Sequence, residues 1–265
     1  MSDQAAETTP PEPVVRERHG RVELVRINRE AARNAIDGPT TRALDSTFDE
    51  LTEDQDVWAV VLTGTGERAF SAGMDLKAFV SGDAGIRSSE NGFAGLTRRH
   101  FPKPLIAAVN GAALAGGCEL VLSCDLVVAA EHATFGIPEV KRGLAAAAGG
   151  LIRLHRRIPL SIALELALTG EPIDARRAQV LGLVNRVVAA DQVVESALEL
   201  AEKICANAPL AVRISKEIMM RSLDLPEHEA WKMNDEKIVP VFTSKDAIEG
   251  ATAFAEKRPP RWEGA

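Results

Sequence analysis

The stretch Asn110-Gly-Ala-Ala-Leu-Ala-Gly-Gly-Cys-Glu-Leu120 decides how the chain is read. Before it, Leu105-Ile-Ala-Ala-Val109 is a short apolar run of the buried-strand kind, and Asn110-Gly111 ends that run with a turn signal. The small residues that follow lead into a helix carrying one carboxylate, Glu119. Gly116 and Gly117 fall at the start of that helix, where unpaired backbone N–H groups and the positive end of the helix dipole point outward. An oxyanion bound there would lie about one helical turn from Glu119, so that donors and a carboxylate would share one pocket. The same residues also suit a plainer role: close helix packing at the glycines, and a Glu that favours a helix N-terminus. The stretch alone leaves both readings open.

At 265 residues and 46% hydrophobic, the chain has enough apolar side chains for one large domain, or a domain with an appendage. A net charge of -7 argues against a nucleic-acid partner, which would call for a basic surface. No apolar run approaches the roughly 18 to 20 residues of a membrane span, and the N-terminus lacks a basic-then-apolar signal pattern. The expectation is a globular protein of the cytoplasm with no membrane partner. Cys118, Cys124 and Cys205 form no CxxC pair, which supports neither a disulfide framework nor zinc. The five histidines are scattered without ligand spacing, so no metal site is expected.

Residues 1–13 are polar and proline-rich and read as a disordered tail. A core domain over 14–190 opens with a hairpin around His19-Gly20, and a helix over Thr40 to Glu53 follows, with Leu44, Phe48 and Leu51 on one face. Val57 to Thr63 is a buried strand. Next comes Ala69-Phe-Ser-Ala-Gly-Met-Asp-Leu-Lys77, a second loop in which Ala72-Gly73 lets the backbone bend closely and Met74 offers its N–H before a helix-start signal at Asp75. A plain strand-to-helix turn would look much the same. Residues 81–100 lack periodicity and read as a mobile loop covering a site. Asp125 to Ala130 is another buried strand, and Glu139 follows Pro138 at the end of a short extended run. A sequence logic of strand, tight small-residue turn and helix recurs near Gly66, Gly111 and Gly136. It predicts an α/β fold of stacked strand-strand-helix units rather than a doubly wound sheet. Residues 191–265 form a helical C-terminal region, with helices over Val193 to Ala206, Pro209 to Ser222, Pro226 to Ile238 and Ser244 to Lys257, expected to find burial against the core or another subunit.

Two loops of backbone donors and two separate carboxylates suit a reaction in which charge develops on a carbonyl oxygen, as on a thioester, while the acids handle protons. At these residues the chain resembles the crotonase, or enoyl-CoA hydratase/isomerase, superfamily over roughly 14–262. The resemblance rests on Ala69 to Lys77, Lys103-Pro-Leu-Ile-Ala-Ala-Val-Asn-Gly111, Gly116-Gly-Cys-Glu-Leu120, Phe135-Gly-Ile-Pro-Glu139 and Ala253-Phe-Ala-Glu-Lys-Arg258, in this order. It implies a crotonase-like spiral and an acyl-CoA thioester substrate. The Met74 and Gly116 N–H groups would form the oxyanion hole, and Glu119 and Glu139 the acid/base pair. Ala32, Arg33, Ala72, Asp75, Leu76 and Lys77 would lie near CoA, with Phe254 and Lys257 reaching it from the terminal helix, of the same or a neighbouring subunit. The implied reaction is reversible syn addition of water to a trans-2-enoyl-CoA, of the kind used in fatty-acid β-oxidation. No cofactor is implied beyond the CoA of the substrate, and the implied assembly is a homotrimer or a dimer of trimers.

Many hydratases of the family have Pro-Gly where this chain has Ala146-Ala147 ahead of Gly149-Gly150, a departure that bears on acyl-pocket width. Gly92-Phe-Ala-Gly-Leu-Thr97, Met74 to Lys77, Asp246-Ala-Ile-Glu-Gly250 and Trp262 are similar to the carnitinyl-CoA dehydratase branch, which makes that the rival substrate assignment. An isomerase or a non-catalytic binding member, including an RNA-binding relative, is a further alternative; acidity and two retained acids count against the non-catalytic reading. A two-carboxylate glycosidase would line its cleft with aromatics, and this chain is 4% aromatic with no tyrosine. A serine nucleophile at Ser71 or Ser123 lacks a GxSxG elbow.

Overall fold

The computed structural model describes residues 11–264. In chain order its elements are β1 (Val14–His19), β2 (Val22–Ile27), α1 (Gly38–Glu53), β3 (Ala59–Gly64), β4 (Ala69–Ser71), α2 (Leu76–Val80), β5 (Leu105–Val109), β6 (Ala112–Leu114) and α3 (Gly116–Leu122). Then come β7 (Leu126–Ala130), β8 (Thr134–Gly136), α4 (Gly150–Arg157), α5 (Leu160–Thr169), β9 (Ile173–Asp174), α6 (Ala175–Val180) and β10 (Arg186–Val188). Four helices end the chain: α7 (Val193–Cys205), α8 (Pro209–Ser222), α9 (Glu227–Phe242) and α10 (Lys245–Glu256).

The strands divide between two sheets. The larger has the order β1-β2-β3-β5-β7-β10 and is parallel except for the β1-β2 hairpin. The smaller has the order β4-β6-β8-β9 and is parallel except for β8-β9. Each turn of the chain therefore gives one strand to the large sheet, the next to the small sheet, and then a helical segment: β3-β4-α2, β5-β6-α3, and β7-β8 with the turn Pro138–Arg142. This is the stacked strand-strand-helix spiral expected from the recurring turn logic. Strands β3 and β5 are buried throughout, as their unbroken apolar runs require of a sheet covered on both faces.

Buried amides bind successive turns together. Asn110 accepts from Gly64 N at 3.2 Å and donates to Gly66 O at 2.5 Å, so the end of β5 is tied to the turn after β3. Asn34 does the same from the other side, donating to Thr65 O and Ala69 O. Each amide satisfies backbone groups that the bends between the sheets would otherwise leave unpaired in the interior. Helix α1 packs through Leu44, Phe48 and Leu51, the face read from its spacing, and α7 lies on the large sheet through the buried Val193, Ala197 and Ala201.

Three local expectations meet a different outcome. Residues 81–100, read as a mobile loop over a site, are tied to α1, while Phe93 and Thr97 still line a large cavity: Asp83 accepts from Gly38 N, Asn91 donates to Asp45, Arg99 pairs with Asp45 and Asp49, and Ala94 to Thr97 are buried. Glu139 sits in the first turn of a 3-10 segment rather than in extended chain. Helix α9 runs through Pro240 to Phe242, beyond its expected end at Ile238. Of the expected N-terminal tail, residues 1–10 lie outside the described residues, while the Glu12 and Pro13 carbonyls accept hydrogen bonds from Asn28. Among the described residues no helix is long and apolar enough to cross a membrane, and no group of His, Cys, Asp and Glu is arranged to hold a metal ion.

Candidate active site

The loops after β4 and β6 meet at their glycines. Gly73 has φ +86°, and a Cβ placed on it would come within 2.7 Å of Gly116 N, so only a residue without a side chain lets the two loops touch. Gly117 rests its Cα against Ser71 O, which a Cβ would approach to 2.0 Å. Ala115, which starts α3, is held at φ 52° and ψ -128°, a conformation that costs a residue with a Cβ about 1–3 kcal/mol. Among the described residues neither the Met74 nor the Gly116 N–H has an acceptor: the hydrogen bonds around Met74 run from Ile36 N to Gly73 O and from Asp75 N to Ile36 O.

Glu119 lies one turn into α3 and is 3% exposed. Its Oε1 accepts from Ala148 N at 2.7 Å and Gly150 N at 2.8 Å, the donors at the opening of α4. Burial raises its pKa, opposed by those two N–H groups and by the Arg153 charge. Arg153 in turn donates to Thr97 O at 2.6 Å and to Ser123 Oγ at 3.3 Å, joining α4 to the 92–97 loop and to the end of α3. Glu139 is held differently. One of its oxygens, Oε2, is buried with no partner among the described residues. Burial drives its pKa up to about 7; its own backbone N–H opposes this, Glu119 adds to it, and Arg142 also opposes it.

A cavity of about 1040 Å³ collects these groups. Met74, Gly116, Glu119 and Glu139 line it, together with Ala32, Arg33, Ala72, Asp75, Leu76 and Lys77. The Asp75 carboxylate is already engaged, capping α2 at Lys77 N and Ala78 N and pairing with Arg29 at 3.1 Å. Against burial, which raises it, the Ala78 N–H and Arg29 hold its pKa below the usual range. Phe254 and Lys257 do not line the cavity of the single chain; Phe254 is 87% exposed on α10. Reading the sequence missed Phe93, whose ring lies against Gly116, and the arginines Arg98 and Arg142 on the cavity wall. It also missed the Ala148 and Gly150 N–H groups as the anchor of Glu119, for which the Gly149-Gly150 pair ahead of a helix was the available signal. Despite the Ala146-Ala147 departure, this loop still delivers two donors to Glu119.

Such a site can polarise a carbonyl with two N–H groups while one fixed and one proton-exchanging carboxylate act beside it. Residues 17–265 match the sequence profile described as enoyl-CoA hydratase/isomerase. Carnitinyl-CoA dehydratase of Salmonella typhi is 41% identical over 253 residues, 93% of this chain and 97% of the relative. Among solved structures, the enoyl-CoA hydratase of Mycobacterium tuberculosis H37Rv superposes with a TM-score of 0.93 at 48% identity, covering 96% of this chain and all of that one. The carnitinyl-CoA hydratase of Mycobacterium avium superposes at 0.77 with 46% identity over the same shares. With its spiral, its paired loops and its two carboxylates on one cavity, the chain belongs to the enoyl-CoA hydratase/isomerase family.

Proposed function

We propose that the chain is a lyase that adds water reversibly and syn across the double bond of a trans-2-enoyl-CoA. The observation that carries this reading is the convergence of Met74, Gly116, Glu119 and Glu139 on one cavity, with both N–H groups free to donate. In this mechanism the thioester oxygen accepts from Met74 N and Gly116 N, so that negative charge arriving on it in the enolate is stabilised by fixed donors. Glu119, immobilised by Ala148 and Gly150, orients water and takes its proton as the water oxygen bonds to C3. Glu139, near pKa 7, supplies the proton that bonds to C2. The reverse sequence dehydrates a 3-hydroxyacyl-CoA. Arg33 and Lys77, beside Ala32, Ala72 and Leu76, face the phosphates of CoA, and no cofactor is needed beyond the CoA of the substrate.

A second reading, dehydration of carnitinyl-CoA, is favoured by the names of the relatives at 41% and 46% identity. Hydration of crotonyl-CoA, followed at the absorbance of the conjugated thioester and then repeated with crotonobetainyl-CoA, tests both. Failure to turn over any enoyl-CoA, with Glu119→Gln and Glu139→Gln leaving CoA-ester binding unchanged, would sink the enzymatic reading. We also infer a homotrimer or a dimer of trimers in the cytoplasm, in which Phe254 and Lys257 reach the CoA bound to a neighbouring copy. The exposed Met219, Trp231, Phe242 and Phe254 on α8–α10, with Leu223 just after α8, support assembly of this kind. Light scattering that returned a monomer at all concentrations would count against it.

A further inference from the structure

The cavity wall carries guanidinium charge that takes no direct part in the proposed reaction. Arg98 and Arg142 both line it, and neither guanidinium has an ion-pair partner among the described residues. They come from different parts of the wall than Arg33 and Lys77. Arg33 belongs to the turn whose carbonyl binds Ala72 N, and Lys77 to the start of α2, so both stand on the side of the Met74 loop. Arg98 follows the loop whose Phe93 ring covers Gly116, and Arg142 ends the 3-10 segment that begins with Pro138 and Glu139. The Arg98 stem is positioned by its surroundings: its N–H donates to Asn91 O at 2.8 Å, and its Cγ lies 2.8 Å from where a Cβ on Gly92 would stand.

The same wall offers little to a cation. Among the described residues Phe93 is its only aromatic side chain, whereas quaternary ammonium groups are recognised by several aromatic faces or by free carboxylates. Of the carboxylates on the wall, Asp75 is committed to Arg29 and to α2, and Glu119 to two backbone donors. Glu139 is shared between the reaction and the nearby Arg142, and its raised pKa leaves it only partly ionised near neutral pH.

We propose that Arg98 and Arg142 form an acyl-group subsite selecting by charge, which prefers an enoyl chain ending in a carboxylate, accepts a neutral one, and rejects a quaternary ammonium. This deepens the hydratase reading and rests on it. Three thioesters that share a trans-2-enoyl group and differ at its far end test it: glutaconyl-CoA with a terminal carboxylate, crotonyl-CoA with a bare methyl, and crotonobetainyl-CoA with a trimethylammonium. The expected order of kcat/KM is glutaconyl, crotonyl, crotonobetainyl. Each of Arg98→Gln and Arg142→Gln should shrink the glutaconyl-to-crotonobetainyl ratio by about fivefold, the size of an ion pair near a protein surface. Arg98→Glu should shrink it further, and because the ratio is taken within one variant, loss of folded protein does not change it. Wild-type preference for crotonobetainyl-CoA would overturn the proposal. So would variants that weaken all three substrates and free CoA alike, since the arginines would then be reading only CoA phosphates. If none of the three is turned over, that result counts against the hydratase reading and not against charge selection. Competitive binding of glutaryl-CoA, butyryl-CoA and γ-butyrobetainyl-CoA to wild type and variants then decides charge selection, and equal affinities would overturn it.

Discussion

Glu119 and Glu139 enter one cavity from two kinds of support. Glu119 projects from a regular helix, is almost wholly buried, and has one oxygen gripped by two N–H groups from a neighbouring turn. Glu139 projects from a short 3-10 segment, is half-buried, and has a buried oxygen with no partner among the described residues. Both pKa values are raised by burial, but only Glu119 has donors from another turn of the chain aimed at its side chain to favour the charged form. The difference teaches that two identical side chains on one cavity are set apart by what their backbones and neighbours offer them, which on the proposed mechanism suits Glu119 to orienting water and taking its proton, and Glu139 to supplying one.

The largest expected effect comes from neutralising either acid. Glu119→Gln and Glu139→Gln should each lower kcat by about 10²–10⁴-fold. In the Glu119→Gln variant the new amide oxygen can still accept from Ala148 and Gly150, so circular dichroism and melting should match wild type. Near wild-type turnover in either variant would dissolve the division of labour. A smaller effect is expected on disturbing the anchor itself. A Cβ on Gly150 would stand 3.1 Å from Glu119 Oε1, and Gly150→Ala should cost about tenfold in kcat with little change in KM, since displacements of ~1 Å cost up to ~10²-fold. An unchanged kcat would mean that the grip is incidental.

Weaker still is the influence of Arg153, whose charge lowers the pKa of Glu119. Arg153→Gln should move the Glu119-dependent limb of the pH–rate profile to higher pH, because the ionised form loses a favourable neighbour. A profile that stays in place would assign Arg153 only to holding the 92–97 loop and the end of α3. The smallest effect is on stability. The folded pKa of Glu139, about 7, lies above its ordinary value of 4.5, so the folded protein binds more protons between those limits than the unfolded chain does. Stability should therefore fall as pH rises from 4.5 through 7, and Glu139→Gln should flatten that fall in urea titrations across the window. A slope identical in wild type and variant would show that the carboxyl is not burdened by burial.

The frame of this site is legible wherever one signal suffices. The buried runs of β3, β5 and β7 and the spaced face of α1 declare themselves through apolar periodicity, and the small-residue turns between them point to a spiral. Residues 81–100 defeat the same reading because their few buried apolar residues are scattered and much of what holds them is polar: Asp83, Asn91 and Arg99 bond to α1, and such pairings have no period along the chain. The grip on Glu119 is illegible for a related reason. Its donors are the N–H groups of an alanine and a glycine 29 and 31 positions away, and backbone atoms leave no mark in side-chain identity. Arg98 and Arg142 look like any surface arginines until the fold sets both on the wall of one cavity.

The positive-φ backbone at Ala115 sets when the site does its reorganising. Because the conformation that aims the Gly116 N–H is imposed by the packing of Gly73 and Gly117 against their neighbours, it is reached once, as the chain folds. On the proposed mechanism, a substrate that arrives afterwards meets donors already set for its carbonyl, so the interval between binding and bond-making would contain no search by the backbone.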